Sequence, residues 1–224
     1  MQDQFVPNFT WYHPTRIIFG VGKLQELPTQ VGNLVEAGSS VFLVTGRSSL
    51  QARGILQKVL DGLREFDVTV YNDVRPFPSP ENVDSAVEAC KRADARIVVA
   101  IGGGSAMDLA KAVAILAVHE GTALEYATDQ RDFQRKGLPF IASPTTSGSS
   151  SEVTSGSALW DLEGKKHYGL GGPGMFPDDA IVDPDWTMSM STSPAAHPGR
   201  DAFTSAITAH WNLESQPISN ALDL

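Results

Sequence analysis

One stretch constrains this chain more than any other: Arg96-Ile-Val-Val-Ala-Ile-Gly-Gly-Gly-Ser-Ala-Met-Asp-Leu-Ala-Lys-Ala-Val-Ala114. The apolar run from Ile97 to Ile101 is rich in β-branched residues and closes on glycines, so it reads as a buried parallel strand. Gly102, Gly103 and Gly104 follow. Ser105 stands where an N-cap would stand, and Ala106, Leu109, Ala110, Val113 and Ala114 continue at helical spacing. Strand, glycine turn and helix start in that order make an anion site. The glycines let the backbone approach a ligand, and the free N–H groups of the first helical turn point at it. A tight turn that binds nothing is the competing reading. Three consecutive glycines cost backbone entropy that such a turn need not incur, which favours phosphate.

The flanking chain repeats the alternation of strand and helix. Short strands are expected at Arg16 to Phe19, Val41 to Thr45, Val68 to Tyr71, Pro139 to Ala142 and Ala180 to Val182. Helical stripes lie between them: Leu24, Leu27, Val31, Leu34 and Val35, ended by Ala37-Gly38; then Leu56, Val59, Leu60 and Leu63; then Val83 to Cys90. This order predicts an α/β fold with a Rossmann-like, doubly wound parallel sheet. Ala158 to Trp160 and Tyr168 to Leu170 flank Asp161-Leu-Glu-Gly164 as a hairpin. Pro144 to Thr154 holds seven Ser or Thr among eleven residues. That block is either a flexible polar loop or, at the carboxyl end of a parallel strand, a ligand-facing one, and its position favours the second. From about Asp185 the pattern changes, and Pro198-Gly199 precedes Ala202, Phe203, Ala206, Ile207 and His210 at helical spacing. We therefore expect an α/β domain over residues 1–190 and the start of a helical domain over 191–224.

Composition excludes several classes. Among 224 residues, 17 basic and 26 acidic side chains leave a net charge of −9, which argues against a nucleic-acid or anionic-membrane surface. No apolar run approaches the length of a membrane span. Met1 to Phe5 lacks the basic and apolar regions of a signal peptide. The single cysteine, Cys90, excludes an internal disulfide framework and suits a reducing cytoplasm. It shares a helical stripe with Val83, Ala86 and Val87, which reads as a core thiol.

Three blocks give the chain a resemblance to a known family. They are Gly102-Gly-Gly-Ser-Ala-Met-Asp-Leu-Ala-Lys111, the Pro144 to Thr154 block, and Asp183-Pro184 followed by Gly199-Arg-Asp-Ala202. In this order and at these separations they resemble the iron-containing alcohol dehydrogenases, of dehydroquinate-synthase-like fold. His210 to Ser219 and Lys165 to Leu170 look most like phosphonoacetaldehyde reductases of that family. The resemblance implies hydride transfer between a nicotinamide cofactor and a small alcohol or aldehyde, and a divalent metal such as iron or zinc; apolar helix surface left exposed without the rest of a helical domain favours a homo-oligomer or instability. The resemblance also implies that Gly103, Gly104 and Ser105 contact the pyrophosphate, with Gly102 as a further cofactor-binding residue of the same block. Asp108 and Lys111 would hold the turn, Thr145, Thr146 and Ser149 would line the nicotinamide side, and Lys166 would approach the nicotinamide ribose. After the second strand, a carboxylate would bind both ribose hydroxyls and repel a 2′-phosphate. Here Gly46-Arg-Ser-Ser49 stands instead, so Gly46, Ser48 and Ser49 are candidate donors and NADP is favoured, with NAD also admissible.

The chain departs from the family where the metal should sit. The family uses one Asp and three His, and the Asp matches Asp201. One helical turn later the first His is expected, and Ser205 stands there. A neutral hydroxyl is a far poorer ligand than imidazole for iron or zinc. The other two His belong to helices expected beyond Leu224, so this segment reads as truncated and little bound metal is expected. His197 and His210 lie nearby as spare imidazoles. Arg200 reads either as a solvated helix-start charge or as a binder of an anionic substrate head. Ser150 replaces a family glycine in the Ser/Thr block. A catalytically impaired dinucleotide-binding relative is therefore the alternative function.

Overall fold

The computed structural model describes residues 8–47, 49–52, 54–188, 192–212 and 216–222. The strands are β1 (Arg16–Phe19), β2 (Ser40–Thr45), β3 (Asp67–Tyr71), β4 (Ile97–Gly102), β5 (Phe140–Pro144), β6 (Gly156–Asp161), β7 (Lys166–Gly171) and β8 (Asp179–Val182). The α-helices are α1 (Leu27–Leu34), α2 (Ser49–Ala52), α3 (Ile55–Gly62), α4 (Pro80–Arg92), α5 (Gly104–Leu116), α6 (Ala123–Ala127), α7 (Asp185–Met188), α8 (Thr192–Trp211) and α9 (Pro217–Leu222). Six strands form one sheet in the order β1-β8-β5-β4-β2-β3, and every pair in it is parallel. β6 and β7 form the separate antiparallel hairpin.

Alternation along each strand explains why these segments read as continuous apolar runs. Phe42, Val44, Val98, Ala100, Phe140 and Ala142 pack on one face with α4 and α5. Val41, Leu43, Ile97, Val99, Ile101, Ile141 and Ile181 pack on the other with Leu27 and Val31 of α1 and Val59 of α3. Because both faces are covered, neither needs polar residues. α4 starts as a helix should: the Ser79 hydroxyl accepts from the Asn82 N–H and Pro80 opens the first turn. α6 escaped the periodicity reading, although Thr122 and Glu125 form a reciprocal capping box that is written in the sequence.

Two expectations are corrected. Ser105 is not the N-cap of α5. Gly103 is, with φ −84° and ψ −172°, and Gly104 is already helical. The helix begins one residue earlier because the glycine backbone makes the turn and no side-chain cap is used. The helix expected after Pro198-Gly199 also starts earlier, at Thr192, with Pro198 inside it. The described chain turns helical after Val182, from Asp185 onward. The expected boundary at 190/191 lies outside the described residues, as does Met1 to Phe5. Among the described residues no helix is long and apolar enough to cross a membrane.

Candidate functional site

From β3 at the sheet edge the chain returns through α4 to β4 on the opposite side of β2. The strand order therefore reverses between β2 and β4, and in open parallel sheets the ligand crevice lies at the carboxyl ends of the strands at this point. Register places the sequence motifs there. Thr45 is the partner of Ile101, and Gly102 is the partner of Pro144. A Cβ added to Gly102 would lie 3.7 Å from the Gly46 backbone nitrogen. The Thr145 N–H donates to the Gly102 carbonyl at 2.8 Å. A Cβ on Gly103 would lie 3.2 Å from the Thr146 hydroxyl, and one on Gly104 would lie 3.2 Å from the Ser149 hydroxyl. The glycine turn, the Gly46 loop and the Ser/Thr loop thus converge on one cleft, with the uncapped first turn of α5 at its floor.

Behind the Ser/Thr loop stands a polar network centred on the buried Lys111, Ser151 and Ser157. Lys111, 1% exposed, donates from Nζ to the Ser151 hydroxyl at 3.0 Å, the Thr154 hydroxyl at 3.0 Å and the Gly156 carbonyl at 2.7 Å. The Ser151 hydroxyl donates to Asp108 Oδ1 at 2.8 Å, and the Ser157 hydroxyl to the Asp108 carbonyl at 2.9 Å. Burial pushes the Lys111 ammonium down to about 8, although Asp108 and Glu152 favour its charge. Burial likewise pushes the Asp108 carboxyl up, partly offset by the Ser151 hydrogen bond and the Lys111 charge. Both residues act on the loop, holding it against α5. Ser150, at the loop's bend, has φ 51°, a left-handed conformation that glycine adopts without cost. Gly148, with φ +154°, sits where a Cβ would meet the Pro198 carbonyl at 2.5 Å, so α8 packs directly on this loop.

The remaining candidates scatter around the cleft. Ser48 lies outside the described residues, and Ser49 opens α2. Arg47, inside the Gly46-Arg-Ser-Ser49 stretch, pairs with Asp73 in the loop after β3, Nη2 to Oδ1 at 2.8 Å. Lys166 is exposed and opens β7 opposite Asp161. The hairpin is tied to α5 from its other end, at Gly156 and Ser157. Five residue steps place Lys166 about 16 Å from that end. Cys90 is buried, and burial pushes its thiol up to about 12, as a core residue's would be.

Asp201 and Ser205 lie one turn apart on α8, both exposed. Among the described residues no three His, Cys, Asp or Glu side chains come together to hold a metal ion. These residues alone do not fit a catalytic metal, which needs about three protein ligands and an open position. Arg200 is also exposed on α8, which favours its solvated reading.

A family model described as iron-containing alcohol dehydrogenase matches residues 14–184. Long-chain-alcohol dehydrogenase 1 of Geobacillus thermodenitrificans is 38% identical over 217 residues, covering 92% of this chain and 54% of the relative. NADPH-dependent butanol dehydrogenase of Clostridium saccharobutylicum is 33% identical over 213 residues, covering 93% and 53%. The crystal structure of sulfoacetaldehyde reductase from Bifidobacterium kashiwanohense in complex with NAD+ superposes with a TM-score of 0.88 at 31% identity, covering 97% of this chain and 57% of that one. The chain spans about half the length of the curated relatives it matches.

Proposed function

The chain belongs to the iron-containing alcohol dehydrogenase family, and from that premise we propose that it forms the dinucleotide-binding part of an NAD(P)H-dependent alcohol dehydrogenase or aldehyde reductase. The observation that carries this reading is the convergence of Gly103 on Thr146 and of Gly104 on Ser149 at the point where strand order reverses. The α5 first-turn N–H groups hold the pyrophosphate, and Thr145, Thr146 and Ser149 bond the nicotinamide side without adding repulsive charge. Lys166 serves the nicotinamide ribose. Positioning of the nicotinamide and exclusion of water are the protein's part in hydride transfer. NADP is the favoured cofactor, because Gly46 puts no acid after β2; NAD is also accepted.

The substrate is a small aldehyde or its alcohol. An anionic head such as that of phosphonoacetaldehyde is supported by the likeness to a sulfoacetaldehyde reductase. Further copies of the chain are the expected partners, supported by the exposed apolar side chains Ile17 and Phe19 on the edge strand β1. A cytoplasmic setting suits the lone buried thiol. One observation favours the second reading, a relative of little activity: Ser205 stands one turn from Asp201 where a metal site needs imidazole.

Elemental analysis combined with an aldehyde-dependent NADPH oxidation assay on one sample of the printed chain tests both readings. We expect dinucleotide binding, less than stoichiometric iron or zinc, and slow aldehyde reduction. Stoichiometric metal with brisk turnover would show that His197, His210 or another chain completes a site, and would leave the second reading without support. Absence of dinucleotide binding would overturn both.

A further inference from the structure

We propose that the Arg47–Asp73 ion pair sets cofactor preference, because Asp73 competes with a 2′-phosphate for the Arg47 guanidinium. The proposal rests on the reading that this cleft holds a dinucleotide. Arg47 stands two residues past Thr45, the last residue of β2, and next to Gly46, whose backbone nitrogen lies against the glycine turn. With the pyrophosphate over that turn, the adjoining ribose reaches the loop after β2, where its 2′ position is read. No acid stands in that loop before Asp61. One arrives instead from the loop after β3: Asp73 Oδ1 accepts from Arg47 Nη2 at 2.8 Å.

The acid is held in place rather than hanging loose. Asn82, 3% exposed in the first turn of α4, donates from Nδ2 to the Asp73 carbonyl at 3.0 Å and accepts from the Arg75 N–H at 3.5 Å. The Arg47 and Asp73 side chains are 62% and 50% exposed, so a ligand in the cleft can reach both. A guanidinium binds phosphate through two parallel N–H bonds, and an edge engaged by a carboxylate is not offered to the phosphate. The same carboxylate repels a dianion beside it and accepts from ribose hydroxyls. Asp73 therefore restrains a preference for NADP that Gly46 and Arg47 would otherwise make strong, and lets NAD compete.

Fluorescence titration of NADPH and NADH into the printed chain and into Asp73→Asn and Arg47→Gln tests this, with thermal melts to establish that each variant is folded. Asp73→Asn should tighten NADPH by roughly three- to tenfold while moving NADH less, the scale of one charge acting on a nearby, solvent-screened dianion. Arg47→Gln should weaken NADPH relative to NADH by a similar factor. An NADPH-to-NADH affinity ratio unchanged in both folded variants would make this a surface ion pair of no consequence and overturn the proposal alone. Failure of both dinucleotides to bind the unaltered chain would instead overturn the cofactor reading, and the proposal with it.

Discussion

Ser150 and Lys111 show how single residues shape the cleft at opposite ends of one loop. Ser150 takes a left-handed backbone conformation at φ 51° in the bend that carries Ser149 toward Gly104. A side chain there costs about 1 kcal/mol relative to glycine. Ser150→Gly should recover about half to all of that despite glycine's greater unfolded-state freedom, raising Tm by roughly 2–3 °C; a lower Tm would mean that the bend is not strained. Lys111 holds three acceptors at once, the buried Ser151 hydroxyl and the more exposed Thr154 hydroxyl and Gly156 carbonyl, so Lys111→Met should cost about 1–2 kcal/mol, mostly through the buried partner left unpaired. Its titration adds a pH signature. Its amine is pushed down to about 8 when folded and returns to the ordinary lysine value when unfolded. Between those values the unfolded chain holds a proton that the folded chain sheds, so this residue makes stability rise with pH over that window. Denaturant titrations at pH 7.5 and 9.5 should find the gap between the unaltered chain and Lys111→Met wider at 9.5. A gap that does not change with pH would contradict the shifted titration.

At the scale of elements, the sheet was legible because burial on both faces writes each strand as an uninterrupted apolar run. Ile97 to Ile101 and Val41 to Thr45 are such runs, and both are strands of the parallel sheet. The hairpin was legible from Asp161 to Gly164, where the Gly164 N–H donates to the Asp161 carboxylate at 2.8 Å. The start of α5 is not legible in the sequence, because a polar residue near a helix start reads as a cap, whereas here Gly103 makes the turn unaided. α8 starts at Thr192, ahead of the Pro198-Gly199 pair that marks a helix boundary in the sequence, and carries Pro198 inside it. The network of Asp108, Lys111, Ser151 and Thr154 joins residues about 40 positions apart, and sequence spacing carries no signal for such a contact. The same holds for Arg47 and Asp73, 26 residues apart and brought together only because β2 and β3 are neighbours.

For the molecule as a whole, three loops from β2, β4 and β5 converge at the point where strand order reverses, and the role we propose for that point is to hold a dinucleotide. The exposed apolar residues Phe203 and Trp211 on α8 belong to the helical segment that follows the sheet, and the metal-binding expectations fall on that segment. The role of the cleft does not depend on them. The most direct measurement is calorimetric titration of NADPH into the printed chain and into Gly104→Val, with Gly104→Ala as the milder change and melts to establish folding. A Cβ at residue 104 would stand 3.2 Å from the Ser149 hydroxyl, between the turn and the loop to which we assign the pyrophosphate. The account predicts saturable binding to the unaltered chain. It predicts a smaller loss for Gly104→Ala, and a loss of about tenfold or more in folded Gly104→Val, as expected when backbone N–H groups can no longer approach the phosphate. Equal NADPH affinity in the unaltered chain and folded Gly104→Val would contradict it.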